Sequence, residues 1–424
     1  MDRNVAKINK GFRGEIVIPA DKSISHRAVM LASLANGQSV IKNFSQGLDP
    51  LTTMVIFQKL GVQCFHNNSD LIINSNGQLV KNESALNCNN SGTTMRLLTG
   101  ILSGQKFDSV LVGDESLSNR PMKRIIEPLS LMGAKILSND GKAPLKISQS
   151  ELFGINYISK IASAQVKSSV ILAGFFADGQ TSFVEPYLTR NHTELMLSYM
   201  NANIKIEDNK TMIEKSPLEP REFNIPGDIS SATYFIVAGL LVPNSKIILK
   251  NVGLNPTRTG ILDVISLMGG NVEILDKRVV SNEMVGDLKI QSSQLHGCEI
   301  SGELIPRLID ELPIIAVLAT QAQGITTIKD AQDLRNKESD RISSVVTELK
   351  KLGADIDETK DGMIIYGKTK LRGGQELQTY NDHRLAMSWY VASLISEKEN
   401  LIKNFEWVNI SFPNFEELFN NLFT

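Results

Sequence analysis

Apolar residues recur along this chain at two periods. Ile24, Ala28, Leu31 and Ala35, and likewise Ile342, Val345, Val346, Leu349 and Leu352, follow the i, i+3/i+4, i+7 spacing of one helix face. Between such stretches lie short runs at residues 15–18, 109–112, 246–249 and 363–366, bounded by Gly, Asn and Asp, which predict strands. One phrase returns five times, as KLGVQCF, LMGAKIL, YMNANIKI, LMGGNVEI and KLGADID. Its turn residues, Gly61, Gly133, Asn201, Gly269 and Gly353, are spaced 72, 68, 68 and 84 residues apart. A helix that ends in the left-handed conformation takes Gly, or next best Asn, just past its end, so each copy predicts a helix running into a strand. A unit of about 70 residues fits six times into the chain, with the sixth ending at the terminus.

The strands are short and often polar at alternate positions, which argues against one long parallel sheet. The pattern predicts six α+β units in two groups of three. The Pro-rich stretch 216–226 precedes Gly227-Asp228 and a new helix, placing one crossing near residue 226 and the other near Pro19. The expected domains are 21–226, and 1–20 together with 227–424.

Composition narrows the function. Forty-four Lys and Arg against 46 Asp and Glu give a net charge of −2, so the chain lacks the broad positive field of nucleic-acid binders, and any bound anion must meet a local cluster. The first 22 residues are charged and carry no apolar signal segment, and the uncharged runs 229–245 and 312–328 are broken by polar residues. Both predict a cytoplasmic protein without a membrane span. Cys64, Cys88 and Cys298 form no C-x-x-C, and no two histidines stand at i,i+4, so neither a disulfide framework nor a zinc site is expected.

Several helix starts carry polar clusters. Asp21, Lys22, Ser23 and Arg27 open the first helix, where exposed N–H groups and cations make an anion site, or simply a capped, solvated flank. Asn90-Ser91-Gly92-Thr93 leaves backbone uncovered before a second helix. Arg120-Pro121 reads as another start, with Lys123 and Arg124 nearby. Asp310 and Glu311 precede a helix at Pro313, where the dipole alone favours acids. Arg335, Lys337, Glu338, Asp340 and Arg341 are crowded at one helix start, which read singly is a salt-bridged surface cap, and Asp382-His383-Arg384 begins the last long helix. Taken together, these helix ends could converge on one cleft rich in cations and bare amides, suited to a substrate with phosphate and carboxylate groups.

The segments DKSISHR, NSGTTMR, NRPM, SAQVK, PGDISSA, RLIDELP, NKESDR and NDHR occur in the order seen in the EPSP synthase (3-phosphoshikimate 1-carboxyvinyltransferase) family, and the chain resembles that family from about residue 10 to 415. The resemblance implies an enolpyruvyl transferase fold, an inside-out α/β barrel of two domains with three βαβαββ-type units each. It implies transfer of the enolpyruvyl group of phosphoenolpyruvate to the 5-hydroxyl of shikimate 3-phosphate, without metal or organic cofactor, by a monomer. By position, Lys22, Ser23, Arg27, Ser163, Ala164, Gln165, Asp310 and Lys337 would hold shikimate 3-phosphate. Lys22, Gly92, Arg120, Gln165, Arg341 and Arg384 would hold phosphoenolpyruvate. Asp310 would accept the hydroxyl proton, and Glu338 or Lys22 would protonate the methylene. Like charges facing across a cleft would keep the empty protein open until a doubly anionic substrate closes it.

Leu97, Asn191 and Ile410 depart from residues common in the family, the first and last in the region that sets inhibitor and phosphoenolpyruvate affinity. A related family transfers the same group to UDP-N-acetylglucosamine and uses a loop cysteine, but residues 104–120 contain none. A non-catalytic sugar-phosphate binder would be expected to lose Asp310 and Glu338, and both are present.

Overall fold

The computed structural model describes residues 1–422. The chain divides into two compact units, one of Ala20–Ile225 with Val279–Glu283, the other of Met1–Pro19, Pro226–Arg278 and Met284–Thr424. Each unit has its own apolar core.

The first unit contains three four-stranded sheets built alike. In the second repeat, strand Leu86–Asn87 runs parallel to Ser109–Val112, which pairs antiparallel with Lys142–Ser148, itself antiparallel to Lys135–Asn139. Helix Gly92–Ser103 links the first two strands and helix Lys123–Leu131 leads into the edge strand, giving βαβαββ. The third repeat follows the same order around helices Ala164–Gly174 and His192–Tyr199. The first repeat lacks a leading strand of its own, and Glu222–Asn224, from the far end of the unit, fills that place parallel to Asn36–Lys42.

The other unit repeats the scheme with two differences. Its first sheet is led by Arg13–Val17, parallel to Lys246–Gly253. Its last sheet has three strands, in which Arg3–Val5 pairs antiparallel with Asn400–Ile402, and no hairpin follows helix Phe415–Asn420 among the described residues. The sixth copy is therefore completed by the beginning of the chain.

Each recurring phrase is a helix turning into an edge strand, with positive φ at Gly61, Gly133, Gly269 and Gly353 (79° to 100°) and at Asn201 (60°). The first helix of every repeat is buried nearly all round, as in Lys22–Leu34, Gly92–Ser103 and Ala164–Gly174, and in Ile229–Leu241, Leu312–Thr320 and His383–Ile395. Such helices can approach closely. A Cβ on Gly100 would lie 2.2 Å from the carbonyl oxygen of Ser169, so any side chain there would drive helices Gly92–Ser103 and Ala164–Gly174 apart.

A buried polar line crosses this core. His26 Nδ1 lies 2.6 Å from Thr53 Oγ1, which pairs at 2.8 Å with Thr94 Oγ1, and Thr94 donates at 2.7 Å to Ser91. Burial first, and then Lys22 and Arg27, push the His26 pKa well below its ordinary value. The unfolded chain thus binds a proton near pH 6.5 that the fold refuses, so His26 stabilises the protein fully above that pH and progressively less as pH falls. Unfolding free energy should fall between pH 7 and 5, by up to about 1.4 kcal/mol per pH unit from this group, and melting temperature should fall with it. Replacing His26 with Gln should flatten that part of the profile, and an unchanged slope would assign the acid sensitivity elsewhere.

Candidate active site

In the first unit, helix starts meet side chain to side chain. Asp21 caps helix Lys22–Leu34 by accepting from the Ile24 amide at 2.8 Å, which leaves Lys22 on the first turn, where its ammonium lies 3.0 Å from Asp49 Oδ2. Arg27, one turn on, is buried and donates to the Ser23 carbonyl at 3.0 Å. Ser91 caps helix Gly92–Ser103 and Ser163 caps helix Ala164–Gly174. Between the last two, Gln165 accepts from Arg96 Nη1 at 2.5 Å and donates to Thr93 Oγ1 at 3.1 Å. Arg120 Nη2 donates to Asn90 Oδ1 at 3.0 Å. A Cβ on Gly92 would stand 3.1 Å from Arg96 Nη1 and 3.2 Å from Arg120 Nη1, so the bare backbone leaves room for two guanidinium groups beside a helix N-terminus. Of the expected residues in this unit, Gly92, Arg120 and Gln165 gather around Arg96, Ser23 and Arg27 share a hydrogen bond, and Lys22 is paired with Asp49.

One detail differs from the expected pattern. Arg120-Pro121 does not begin the helix: Arg120 ends the short helix Glu115–Asn119 and the next helix starts at Lys123. Pro121 fixes an extended connection instead, and Arg120 is buried beside Asn90.

The other unit gathers charges of both signs. Asp382 caps helix His383–Ile395 through the Arg384 amide at 2.9 Å and also receives Arg341 Nε at 2.7 Å and Nη2 at 3.2 Å. Arg341 Nη2 donates to Glu338 Oε2 at 2.7 Å, and Nη1 to Asp310 Oδ1 at 3.3 Å. Lys337 Nζ is 3.5 Å from the same Asp310 oxygen. The expectation of a surface cap fails here, because the Arg341 side chain is 1% exposed. Its solvent-facing neighbour is Arg335, which pairs with Asp340 and Glu358. Burial works against the charge of Arg341, but Asp382, Glu338 and Asp310 outweigh it and hold its pKa above the ordinary value.

Arg384 is placed differently. Its guanidinium stands 3.8 Å from Asp310 Oδ2 and 3.8 Å from Glu311 Oε1, beyond close hydrogen bonding to either. Burial disfavours its charge, yet Asp310 and then Tyr234, Glu311 and Asp228 raise its pKa on balance, so it stays cationic. Glu311 is itself buried and shifted upward by desolvation, and it accepts from Ser230 Oγ, which in turn takes Arg258 Nη2 at 2.6 Å.

Sequence reasoning passed over Asp49, Arg96, Arg190 and Arg258. Asp49 had a signal, an acid just before Pro50 at a helix start. Arg96 had one too, since it closes the segment NSGTTMR, whereas Arg190 and Arg258 gain their partners only from the packing of distant segments. Burial raises the thiol pKa of Cys64 to about 11, of Cys88 to about 12, and of Cys298 above its usual value, so each stays protonated near neutral pH. Among the described residues no group of three or more His, Cys, Asp or Glu is arranged to hold a metal ion, and no helix is long and apolar enough to cross a membrane.

Known proteins resemble this chain over nearly its whole length. Residues 6–419 match the family described as EPSP synthase (3-phosphoshikimate 1-carboxyvinyltransferase). A 3-phosphoshikimate 1-carboxyvinyltransferase of Thermoanaerobacter sp. (strain X514) is 51% identical over 427 residues, covering 100% of both chains. The protein of the same name from Bacillus subtilis (strain 168) is 49% identical, with 97% of each chain covered. Among solved structures, EPSP synthase from Acinetobacter baumannii superposes with a TM-score of 0.88 at 40% identity, covering 99% of this chain and 98% of that one. The enolpyruvyl transferase NikO from Streptomyces tendae shares the fold at a TM-score of 0.79 and 16% identity, covering 99% of this chain and 96% of its own. The chain belongs to the EPSP synthase (3-phosphoshikimate 1-carboxyvinyltransferase) family.

Proposed function

We propose that the residues gathered at these helix starts carry the family's reaction, each in a definite role. The protein transfers the enolpyruvyl group of phosphoenolpyruvate to the 5-hydroxyl of shikimate 3-phosphate and releases phosphate, a step of aromatic amino-acid biosynthesis. In our reading Lys22, Ser23, Arg27, Ser163, Ala164 and Gln165 hold shikimate 3-phosphate through cations and helix-start amides, with Asp310 and Lys337 on the side of the hydroxyls. Gly92, Arg120, Arg341 and Arg384, with Lys22 and Gln165, receive phosphoenolpyruvate.

The chemistry is addition followed by elimination. Glu338 or Lys22 gives a proton to the methylene, which makes the central carbon cationic. The 5-hydroxyl attacks that carbon while Asp310 accepts its proton. The tetrahedral species then loses phosphate, which carries off the proton taken up by Asp310, while a methyl proton returns to the group that protonated the methylene, and the double bond is restored. Charge accumulates on the departing phosphate, where fixed guanidinium groups stabilise it without reorganising. Asp310 suits its role because Arg341, Lys337 and Arg384 hold its carboxylate in one orientation. A cytoplasmic monomer completes the reading.

The observation that carries this assignment is the contrast between two arginines. Arg341 is anchored by Asp382, Glu338 and Asp310 and so offers phosphoenolpyruvate a charge fixed in place, whereas Arg384 is charged and loosely held, and so is free to close on an anion. Arg384→Ala should raise KM for phosphoenolpyruvate by about 10–100-fold, the worth of a charge-assisted hydrogen bond, and leave KM for shikimate 3-phosphate within about twofold. Equal rises in both constants would contradict the assignment.

A further inference from the structure

Residues 190–194, Arg-Asn-His-Thr-Glu, have no role in the scheme above, yet they bridge two sets of contacts. Toward the binding side, Arg190 Nη1 donates to Ser23 Oγ at 3.1 Å. Thr193 Oγ1 accepts from Arg27 Nε at 2.7 Å and pairs at 2.8 Å with Ser168 Oγ, which accepts Arg27 Nη2 at 2.9 Å. Toward the core, Glu194 Oε1 lies 2.8 Å from Lys167 Nζ. Lys167 also donates to Glu185 Oε1 at 2.7 Å and to the Thr189 carbonyl at 3.1 Å. His192 Nδ1 is 2.6 Å from Oε1 of Glu283, a residue of the same compact unit.

Lys167, Glu185, Glu194, His192 and Glu283 are each no more than 3% exposed. Two residues beyond Gln165, Lys167 turns its ammonium into the core. Burial opposes its charge, and Glu194 and Glu185 prevail, so its pKa lies above the ordinary value and it remains a cation. Withdrawing so many ionisable groups from water is costly, and replacing them with apolar residues would often be no less stable. What the network does is fix geometry: every polar group in it holds the main chain or a side chain of residues 185–194.

We propose that Lys167, acting through Glu194, and Glu283, acting through His192, are positioning residues that hold Arg190 and Thr193, and thereby Ser23 and Arg27, in the arrangement that receives the phosphate of shikimate 3-phosphate. This rests on the assignment of Ser23 and Arg27 to that substrate.

The test measures shikimate 3-phosphate binding by calorimetry, together with both KM values and kcat, for the full chain carrying Thr193→Val, Thr193→Ser, Glu194→Gln or Arg27→Ala. Thr193→Val removes the acceptor for Arg27 Nε while leaving every charged side chain in place, so it should weaken shikimate 3-phosphate about tenfold, the loss of one hydrogen bond to a charged group. KM for phosphoenolpyruvate and kcat should stay within about twofold, and Thr193→Ser, which keeps the hydroxyl, should restore binding. Glu194→Gln, if it melts like wild type, should reproduce the Thr193→Val pattern; if it does not fold, the two Thr193 variants decide. Arg27→Ala should weaken binding more than any of them. Wild-type affinity in Thr193→Val, with Arg27→Ala impaired, would overturn the positioning role, whereas wild-type affinity in Arg27→Ala would overturn the substrate assignment itself.

Discussion

Asp310→Asn should lower kcat by roughly 10²–10⁴ while leaving both substrates bound, because it keeps the shape and hydrogen bonding of the side chain and removes only its capacity to accept a proton. The geometry makes the expectation sharp. Asp310 sits just before helix Leu312–Thr320, with Arg341 Nη1 at 3.3 Å and Lys337 Nζ at 3.5 Å from one oxygen and Arg384 Nη2 at 3.8 Å from the other. An amide with its oxygen in the place of Oδ1 still accepts from Arg341 and Lys337, and its NH2 then faces Arg384, which makes no close hydrogen bond there. Steady-state kinetics with single-turnover phosphate release checks it. A wild-type rate would leave Asp310 as a helix-start acid favoured by the dipole and would move the proton acceptor elsewhere.

The second large effect is on stability. Arg341→Met would leave Asp382, fully buried and bound to both Nε and Nη2, with its main counter-charge gone, and would strip Glu338 and Asp310 of their nearest cation. Breaking a buried pair from one side costs about 3–5 kcal/mol, which for a unit of some 200 residues is a fall in Tm of roughly 6–20 °C. The double variant Arg341→Met/Asp382→Asn should recover more than half of that loss, since Asn can still cap helix His383–Ile395. A single variant within about 1 kcal/mol of wild type would show that the guanidinium contributes little to the fold.

Much of the architecture is legible in the sequence because the repeat marks itself chemically. A helix that must turn sharply into a strand needs a left-handed residue, and the chain supplies Gly61, Gly133, Asn201, Gly269 and Gly353 at a near-constant interval. Helix starts are legible for a similar reason, since Asp21 and Asp382 cap at the helix starts that the local pattern marks. What escapes is non-local. Nothing near residue 3 announces that Arg3–Val5 will complete a sheet with Asn400–Ile402, and nothing near residue 222 announces a partner at Asn36–Lys42. Burial of charge escapes as well. The crowd of ions at residues 335–341 reads as solvated, because two of the three acids that make burying Arg341 tolerable, Asp310 and Asp382, come from segments far away in sequence. The roles of Lys167 and Glu283 stay hidden for the same reason.

The central claim, that these helix starts bind two anions and join them, is tested most directly by phosphate release from phosphoenolpyruvate with each of two acceptors. With shikimate 3-phosphate, the protein should release one phosphate for each acceptor consumed, and with UDP-N-acetylglucosamine it should release none above background. Turnover with UDP-N-acetylglucosamine, or none with shikimate 3-phosphate, would contradict the account.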